Sequence, residues 1–454
     1  MSKQHLVAVV GAGPAGIYGA RKLTEAGHKV VLINRDIKPG GLAEYGIFVE
    51  KEKMKTGLRK QFKKILADPK VFYLGHVMIG QDQPLSIKDL QSMGFGAVVV
   101  TAGAQGTKKL GIEGEEAVGV YHAKDVVYHY NSLPPFSERN FEIGRRVAII
   151  GMGNVMVDIA NWLLNLKKID QVVVVARRGP LEKAYDDSEF EYIDMYLDNA
   201  DMKQEIERIS ASLTAVGQDV GAITHKFVQQ GEPLEGRKLT FRYLCSPTKV
   251  IANAQGRVAA LDVEENEMVL QDGKTVAKGT GKTRRIDVDC VIYAIGDQVD
   301  AALGLPFSRG AFVTNPEKLP GDPNPAAYQP YDPEAKKGLD GIFVAGWSRN
   351  ASVGLVGVAK QDAERGMKVV NEYLAAKEGP SAGEMEEKIE GLLGTLKSKG
   401  VTVVTREDVE LLEGAEQEAA RARKTWDFKY TSDQKMLEVI AARRAGKRSA
   451  RRKQ

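Results

Sequence analysis

Two glycine-rich turns, each set between an apolar run and an amphipathic helix, restrict what this chain can fold into more than any other feature. In the first, Leu6–Val10 leads into Gly11-Ala12-Gly13-Pro14-Ala15-Gly16 and a helix through Ile17–Leu23. In the second, Val147–Ile150 leads into Gly151-Met152-Gly153-Asn154-Val155-Met156 and a helix through Val157–Leu166. A strand–turn–helix of this form brings backbone N–H groups up to a pyrophosphate at a helix N-terminus. One copy is a common turn. Two copies predict two dinucleotides bound side by side, the arrangement that passes a hydride from a nicotinamide to a flavin.

A length of 454 residues gives room for two or three domains and a large core. The charged fraction of 27% is ordinary for a globular protein, and a net charge of +4 gives no general attraction to nucleic acid. No run approaches the ~20 apolar residues of a membrane helix, so membrane insertion is not expected. A core strand begins at Leu6, so no signal or transit peptide is expected before it, and the expected location is cytoplasmic. The two cysteines, Cys245 and Cys290, form no Cys-x-x-Cys, which argues against disulfide exchange and cysteine-ligated clusters. Six histidines without metal-ligand spacing argue against a metal site.

Segment 1–106 reads as βαβ units, with strands Val7–Val10, Lys29–Ile33 and Ala97–Thr101, the last ending at Ala102-Gly103-Ala104. Segment 107–300 holds the second glycine turn, a strand Val172–Ala176, a hairpin-like polar stretch Leu239–Val269 and a strand Val288–Ala294. The Pro-rich loop 315–338 should be irregular. Gly341–Ala345 then reads as a short strand and Val353–Tyr373 as a helix. This return predicts a discontinuous first domain, 1–106 plus 301–380, interrupted by a second domain, 107–300. A charged, helix-prone extension follows at 381–440, with a β-like break at Val401–Thr405. The tail 441–454 reads as a solvated, disordered end, because Arg443–Lys453 holds seven Lys and Arg and no acid. The expected class is α/β: two Rossmann-like dinucleotide-binding domains, the first discontinuous, with a C-terminal helical extension.

At the end of the second strand of such a unit an acid usually binds ribose hydroxyls. Asn34 stands there, with Asp36 as an alternative. In the second unit the strand ends instead in Arg177-Arg178-Gly179-Pro180. Two guanidinium groups at that place predict a 2′-phosphate, and therefore NADP(H). FAD is thereby assigned to the first turn. Asp158, in the second helix, caps, packs or bonds near the nicotinamide pocket. Gly346 and Trp347 follow a strand and precede a helix whose start is Gly354-Leu355-Val356-Gly357. Such a start places N–H groups near the flavin edge where negative charge develops, with Trp347 over a ring face. Asp158 and Trp347 are the candidates closest to the chemistry, and neither is a nucleophile.

At these residues the chain resembles the adrenodoxin reductase family, ferredoxin–NADP reductases of the glutathione-reductase-like fold. Gly11–Gly16 matches Gly-x-Gly-Pro-Ala-Gly, and Gly41-Leu42-Ala43-Glu44-Tyr45-Gly46-Ile47 matches Gly-Leu-x-x-Phe/Tyr-Gly-Val/Ile. Further matches are Gly119–Ala123, Tyr130–Pro134, Gly151–Asp158, Arg177–Leu181, Ala345–Trp347 and the closing stretch Gly400–Leu437. The resemblance covers residues 5–440 and implies FAD, NADPH and a small iron–sulfur partner. It implies flavin contacts from the first glycine turn (Gly11, Gly13, Pro14, Ala15, Gly16), from Gly41, Leu42, Tyr45 and Gly46, from Gly103, and from Trp347 and Gly354 with their neighbours Gly346, Leu355 and Val356. It implies NADPH contacts from Gly151, Gly153, Asn154, Val155, Arg177, Arg178 and Glu189. The sequence departs from the family at several points. Asn34 replaces its acid, and Val49-Glu50-Lys51 replaces its Pro-Asp-His. Its Arg-Gly-Pro-Thr-Gly becomes Asn350-Ala351-Ser352-Val353-Gly354. Glu182–Glu207 holds ten acids and two lysines where the family presents bases to an acidic ferredoxin.

The expected activity is electron transfer between NADP(H) and a ferredoxin-type protein through FAD. Two alternatives stand beside it. One is a flavoprotein subunit of a larger NADPH-linked complex, similar to a glutamate synthase β chain, although the cysteine-rich cluster domain of those chains is absent here. The other is a nucleotide-binding protein without catalysis.

Overall fold

The computed structural model describes residues 4–229, 231–351 and 356–452, which fall into two compact units. The first comprises Met1–Thr107, Tyr128–Glu138 and Asp297–Gln454, and the second Lys108–Val127 and Arg139–Gly296. No helix among the described residues is long and apolar enough to cross a membrane.

In the first unit five parallel strands lie in the order Ile342–Val344, Ala97–Val100, Leu6–Val10, Lys29–Ile33, Val71–Leu74. The strands are apolar throughout because both faces of the sheet are covered. Val7, Val9, Val30 and Leu32 face a layer containing Ile17 and Leu23 of helix Pro14–Glu25 and Met367 and Val370 of helix Val356–Ala375. Leu6, Ala8, Val31 and Ile33 face the other layer, with Met385, Ile389 and Leu392 of helix Ala382–Ser398.

The segment read as an extension is therefore built into this core. Helix Ala382–Ser398 covers one face, and helices Arg406–Arg423 and Asp433–Arg452 add Val409, Leu412, Met436 and Ile440 to the other layer. At the β-like break, Val404 exchanges backbone hydrogen bonds of 2.7 and 3.0 Å with Gly75, just past the edge strand. Over residues 441–452 the expected disordered tail is corrected to helix, and 453–454 lie outside the described residues. Met436 and Ile440, one helical turn apart, dock Asp433–Arg452, and the basic residues continue that helix. Arg443 pairs with Glu418 and Arg444 with Asp408, so its first bases do face acids. Tyr128–Glu138, expected in the second domain, belongs to the first unit, where Tyr128 and Leu133 are buried with Tyr45.

The second unit has its own parallel sheet, in the order Val120–His122, Cys290–Tyr293, Arg146–Ile150, Gln171–Val175, Lys238–Arg242. A three-stranded antiparallel sheet, Cys245–Ala252, Val258–Gln271 and Lys274–Asp287, packs Val250, Leu261 and Val263 against Ala148, Ile150 and Val173 of the parallel sheet. The expected hairpin at Leu239–Val269 is thus divided. Leu239 belongs to the parallel sheet, and the hairpin turns at Asp272-Gly273, with φ of 51° and 73°. Positive φ at both positions is the geometry of a two-residue Asp-Gly loop. After the second glycine turn, helix Asn154–Asn161 runs into a π-helical turn, Trp162–Leu166.

Candidate functional site

The three glycines of the first turn do different work. Gly11 has φ +110°, and a Cβ there would lie 2.6 Å from the Thr101 carbonyl oxygen. Gly16 sits where helix Pro14–Glu25 crosses the strand end, and a Cβ would fall 1.8 Å from the Gly11 oxygen. Gly13 has nothing within 4 Å of a Cβ, so it faces open space. The helix carries Pro14 at its start, no acid in its first turn and no side-chain cap. Its N-terminal end, with Ala15 beside Gly16, therefore offers the positive end of the helix dipole to a ligand. Close packing at the outer glycines and space at the middle one is the shape a pyrophosphate needs.

A second glycine pair closes on this turn. The Gly40 amide donates to the Ala12 carbonyl at 2.7 Å, and Gly41, at φ +50°, would place a Cβ 3.0 Å from Gly13 Cα. Helix Leu42–Tyr45 follows, with Tyr45 buried and Gly46 pressed against Leu42. From the far end of the unit comes Gly346, at φ +64°, whose Cβ would meet Ala15 Cβ at 2.5 Å. Its amide donates to Asp362 at 2.7 Å, and Asp362 in turn binds Arg349. Ser348 accepts the Gly103 amide at 2.9 Å, joining two strand ends. Trp347 is half-buried in this turn. Val356 opens the helix Val356–Ala375 and is half-buried, while Gly354 and Leu355 lie outside the described residues.

Asn34, expected as the ribose ligand, turns its amide toward the backbone around it. It is buried, its Oδ1 accepts the Ala12 amide at 3.1 Å, and its Nδ2 donates to the carbonyls of Asp36 and Lys38 at 2.8 and 3.0 Å. These bonds hold the glycine turn to the loop beside it. Asp36 accepts from Arg35 at 2.9 Å.

Behind helix Leu42–Tyr45 lies a buried charge cluster that sequence reading missed. Arg59 grips the Glu44 carboxylate with bonds of 2.6 and 2.7 Å and reaches Asp427 at 3.0 Å. Lys38 bonds Glu416 at 2.6 Å. Lys429 donates to the Glu44 carbonyl at 2.9 Å and stands 4.9 Å over the Tyr45 ring. Lys55 donates to Asn131 Oδ1 at 2.6 Å. Burial pushes the Glu44 carboxyl upward, but Lys429, Lys38 and Arg59 outweigh it and hold it well below the usual range. Burial, reinforced by the charge on Lys429, pushes the Lys55 amine down to about 7. These residues come from five separate stretches of chain, so no local pattern announces them.

The second turn repeats the first. Gly151 has φ +115° and would place a Cβ 2.4 Å from the Ala294 oxygen, while Gly153 again faces open space. Helix Asn154–Asn161 has no side-chain cap. Asn154 exchanges two 2.8 Å hydrogen bonds with Asp186, fastening the following loop over the turn. Val155 is exposed and Asp158 half-buried on this helix, and Glu189 is half-buried in helix Asp187–Phe190. Arg177 and Arg178 stand exposed beyond strand Gln171–Val175, and among the described residues neither guanidinium has an ion-pair partner. Four acids of the Glu182–Glu207 stretch are neutralised by neighbours: Asp187 by Lys183, Asp198 by Lys238, Asp201 by Arg242 and Glu205 by Arg208.

A profile of one protein family matches residues 5–323, a span that runs through both glycine turns. The chain belongs to the pyridine nucleotide-disulphide oxidoreductase family. Within it, the chain is 28% identical over 407 residues to the NADPH-ferredoxin reductase FprA of Mycobacterium leprae, covering 82% of this chain and 84% of that protein. It is 26% identical over 471 residues to the mitochondrial NADPH:adrenodoxin oxidoreductase of Bos taurus, covering 96% and 92%. These relatives bear out the resemblance to adrenodoxin reductases. The solved structure of Mycobacterium tuberculosis FprA in complex with NADPH has the same fold, with a TM-score of 0.79 at 24% identity over 97% of this chain and 100% of that one. This member of the pyridine nucleotide-disulphide oxidoreductase family has no cysteine pair for disulphide chemistry. Cys245 and Cys290 are free and buried, and burial raises both thiols, Cys245 to about 11.

Proposed function

We propose that this chain is an NADPH-linked flavoprotein passing electrons between NADP(H) and a small iron–sulfur protein of the ferredoxin type. The observation that carries the reading is a contrast between two like sites. Both turns end in an uncapped helix N-terminus below an open glycine, but only the second adds two unpaired arginines at its strand end. The first site fits FAD, with Gly11, Gly13, Gly16, Gly41 and the Gly346–Trp347 turn around it. The second fits NADP(H), with Gly153, Arg177 and Arg178 toward the phosphates. When bound, the nicotinamide supplies a hydride and the flavin converts that electron pair into single electrons. The chain's own residues bind and orient. The helix N-termini favour the pyrophosphates, and the guanidinium pair selects a 2′-phosphate.

The acceptor is taken from relatives named for ferredoxin and adrenodoxin. A cytoplasmic site of action is part of the proposal and rests on the two free, buried thiols, which suit a reducing compartment. An absorbance spectrum of the purified protein, followed by anaerobic addition of NADPH, tests the whole reading. A flavin band that bleaches, and FAD released on heating, are expected. A colourless protein, or one releasing only FMN, would overturn the reading.

A further inference from the structure

Helix Glu52–Leu66 carries six basic residues and one acid. Three of the bases lie toward other residues of the first unit, two of them buried or bonded and Lys63 exposed. Lys55 and Arg59 turn inward to Asn131 and Glu44, and Lys63 lines a pocket with Glu410 and Glu413. The other three, Lys53, Lys60 and Lys64, are exposed, and among the described residues none has an ion-pair partner. With Gly57 they recur at helical spacing and form one stripe, roughly 16 Å long at the rise of an α-helix. Gly57 lies in the middle of the stripe, and a Cβ there would meet nothing within 4 Å. Glycine in an exposed helix costs ~1 kcal/mol relative to alanine, and no contact within the unit requires it here. Beside it, Met54 is 54% exposed.

A face kept only for solubility mixes both signs. This one is a row of single-sign charge with a bare notch and an apolar bead. We propose that the Lys53–Gly57–Lys60–Lys64 stripe is the docking surface for a small acidic iron–sulfur carrier. The proposal rests on the electron-transfer reading above. Its location suits that role, because the inner side of the same helix holds Glu44, in the turn whose Gly41 lies against Gly13. The basic docking charge expected at Glu182–Glu207, and absent there, is thereby supplied from the first unit.

Exposed docking charges act mainly on encounter rate and are screened by salt. The test uses the full-length flavoprotein with an acidic [2Fe–2S] ferredoxin as probe. Association is followed by stopped flow and binding by calorimetry, at low and high salt. The triple variant K53E/K60E/K64E is expected to associate about tenfold more slowly than wild type at low salt. The gap should close at high salt, with flavin bleaching by NADPH and melting temperature unchanged. A control, K274E/K278E/K282E on the exposed strand Lys274–Asp287, makes the same change of net charge and is expected to leave association within about twofold. Equal slowing in both triples, or none in the first, overturns the stripe while leaving the electron-transfer reading standing. Failure of wild type to bind or reduce the ferredoxin overturns both, as does binding to phosphatidylserine vesicles in its place.

Discussion

Gly11 and Gly16 resist replacement by alanine for different reasons. At Gly11 the backbone sits at φ +110° and a carbonyl waits 2.6 Å from any Cβ, whereas at Gly16 the obstacle is the helix crossing itself. Both requirements are steric, which is why the spacing of glycines could be read without a structure. The position of Arg177 and Arg178 just beyond strand Gln171–Val175 was legible for a similar reason, because the apolar run fixes where the strand ends. Each charge-assisted bond from Arg177 or Arg178 to a 2′-phosphate is worth about 1.5–3 kcal/mol. R177A/R178A should therefore raise the NADPH Michaelis constant at least tenfold and leave that for NADH nearly unchanged. Steady-state kinetics with both nucleotides checks it, and an unchanged NADPH constant would remove the 2′-phosphate assignment. Asn34 shows where such reading stops. Its position suggests a ribose ligand; its hydrogen bonds to Ala12, Asp36 and Lys38 show only in the coordinates, because sequence does not give the direction in which an amide points.

Among the elements, the strands and helices around each glycine turn followed their apolar pattern, and the errors fell where local chemistry was overlooked. Asp272-Gly273 is a strong hairpin signal that fixes the register of Val258–Gln271 against Lys274–Asp287, and it lies just beyond the polar stretch Leu239–Val269. The helix Asp433–Arg452 was hidden by its charge, because Met436 and Ile440 dock it before the arginines begin. Its ion pairs with helix Arg406–Arg423 differ in worth. Arg444 meets Asp408, whose side chain is 3% exposed and which closes the capping box of helix Arg406–Arg423 with Thr405. Arg443 meets Glu418 with both side chains largely in water. R444A leaves a buried carboxylate short of a partner and should cost about 1–2 kcal/mol, while R443A should stay within about 0.5 kcal/mol. Denaturant titration of the two variants measures the difference, and equal effects would show that the cap gains nothing from Arg444.

For the molecule as a whole, acid should weaken the fold before the carboxylates protonate. His28 is buried, and burial, with help from His5 and Lys70, lowers its pKa to about 4 from 6.5 in the open chain. The folded state refuses a proton that the unfolded chain takes up. Its contribution is complete above pH 6.5 and is lost as the pH falls to about 4. The full shift corresponds to about 3 kcal/mol, before any discount for solvent screening. Melting temperature should fall across that window, and H28Q should flatten the slope whatever it does to stability at neutral pH. A wild-type melting curve flat from neutral pH to about 4 would refute the assignment. The buried cluster around Glu44 sets a further condition at this scale, one concerned with time. The ribosome delivers the second unit, Lys108–Val127 and Arg139–Gly296, before the first can close, because the first still lacks strand Ile342–Val344 and helix Ala382–Ser398. Glu416, Asp427 and Lys429 emerge later still, yet they brace the turn that lies against Gly13. During synthesis the sheet that strand Leu6–Val10 begins stays unfinished until strand Ile342–Val344 is made, and its glycine turn stays unbraced until residues 416–429 follow. A flavin site opened by residues 11–16 is thus completed only about 400 residues further along the chain.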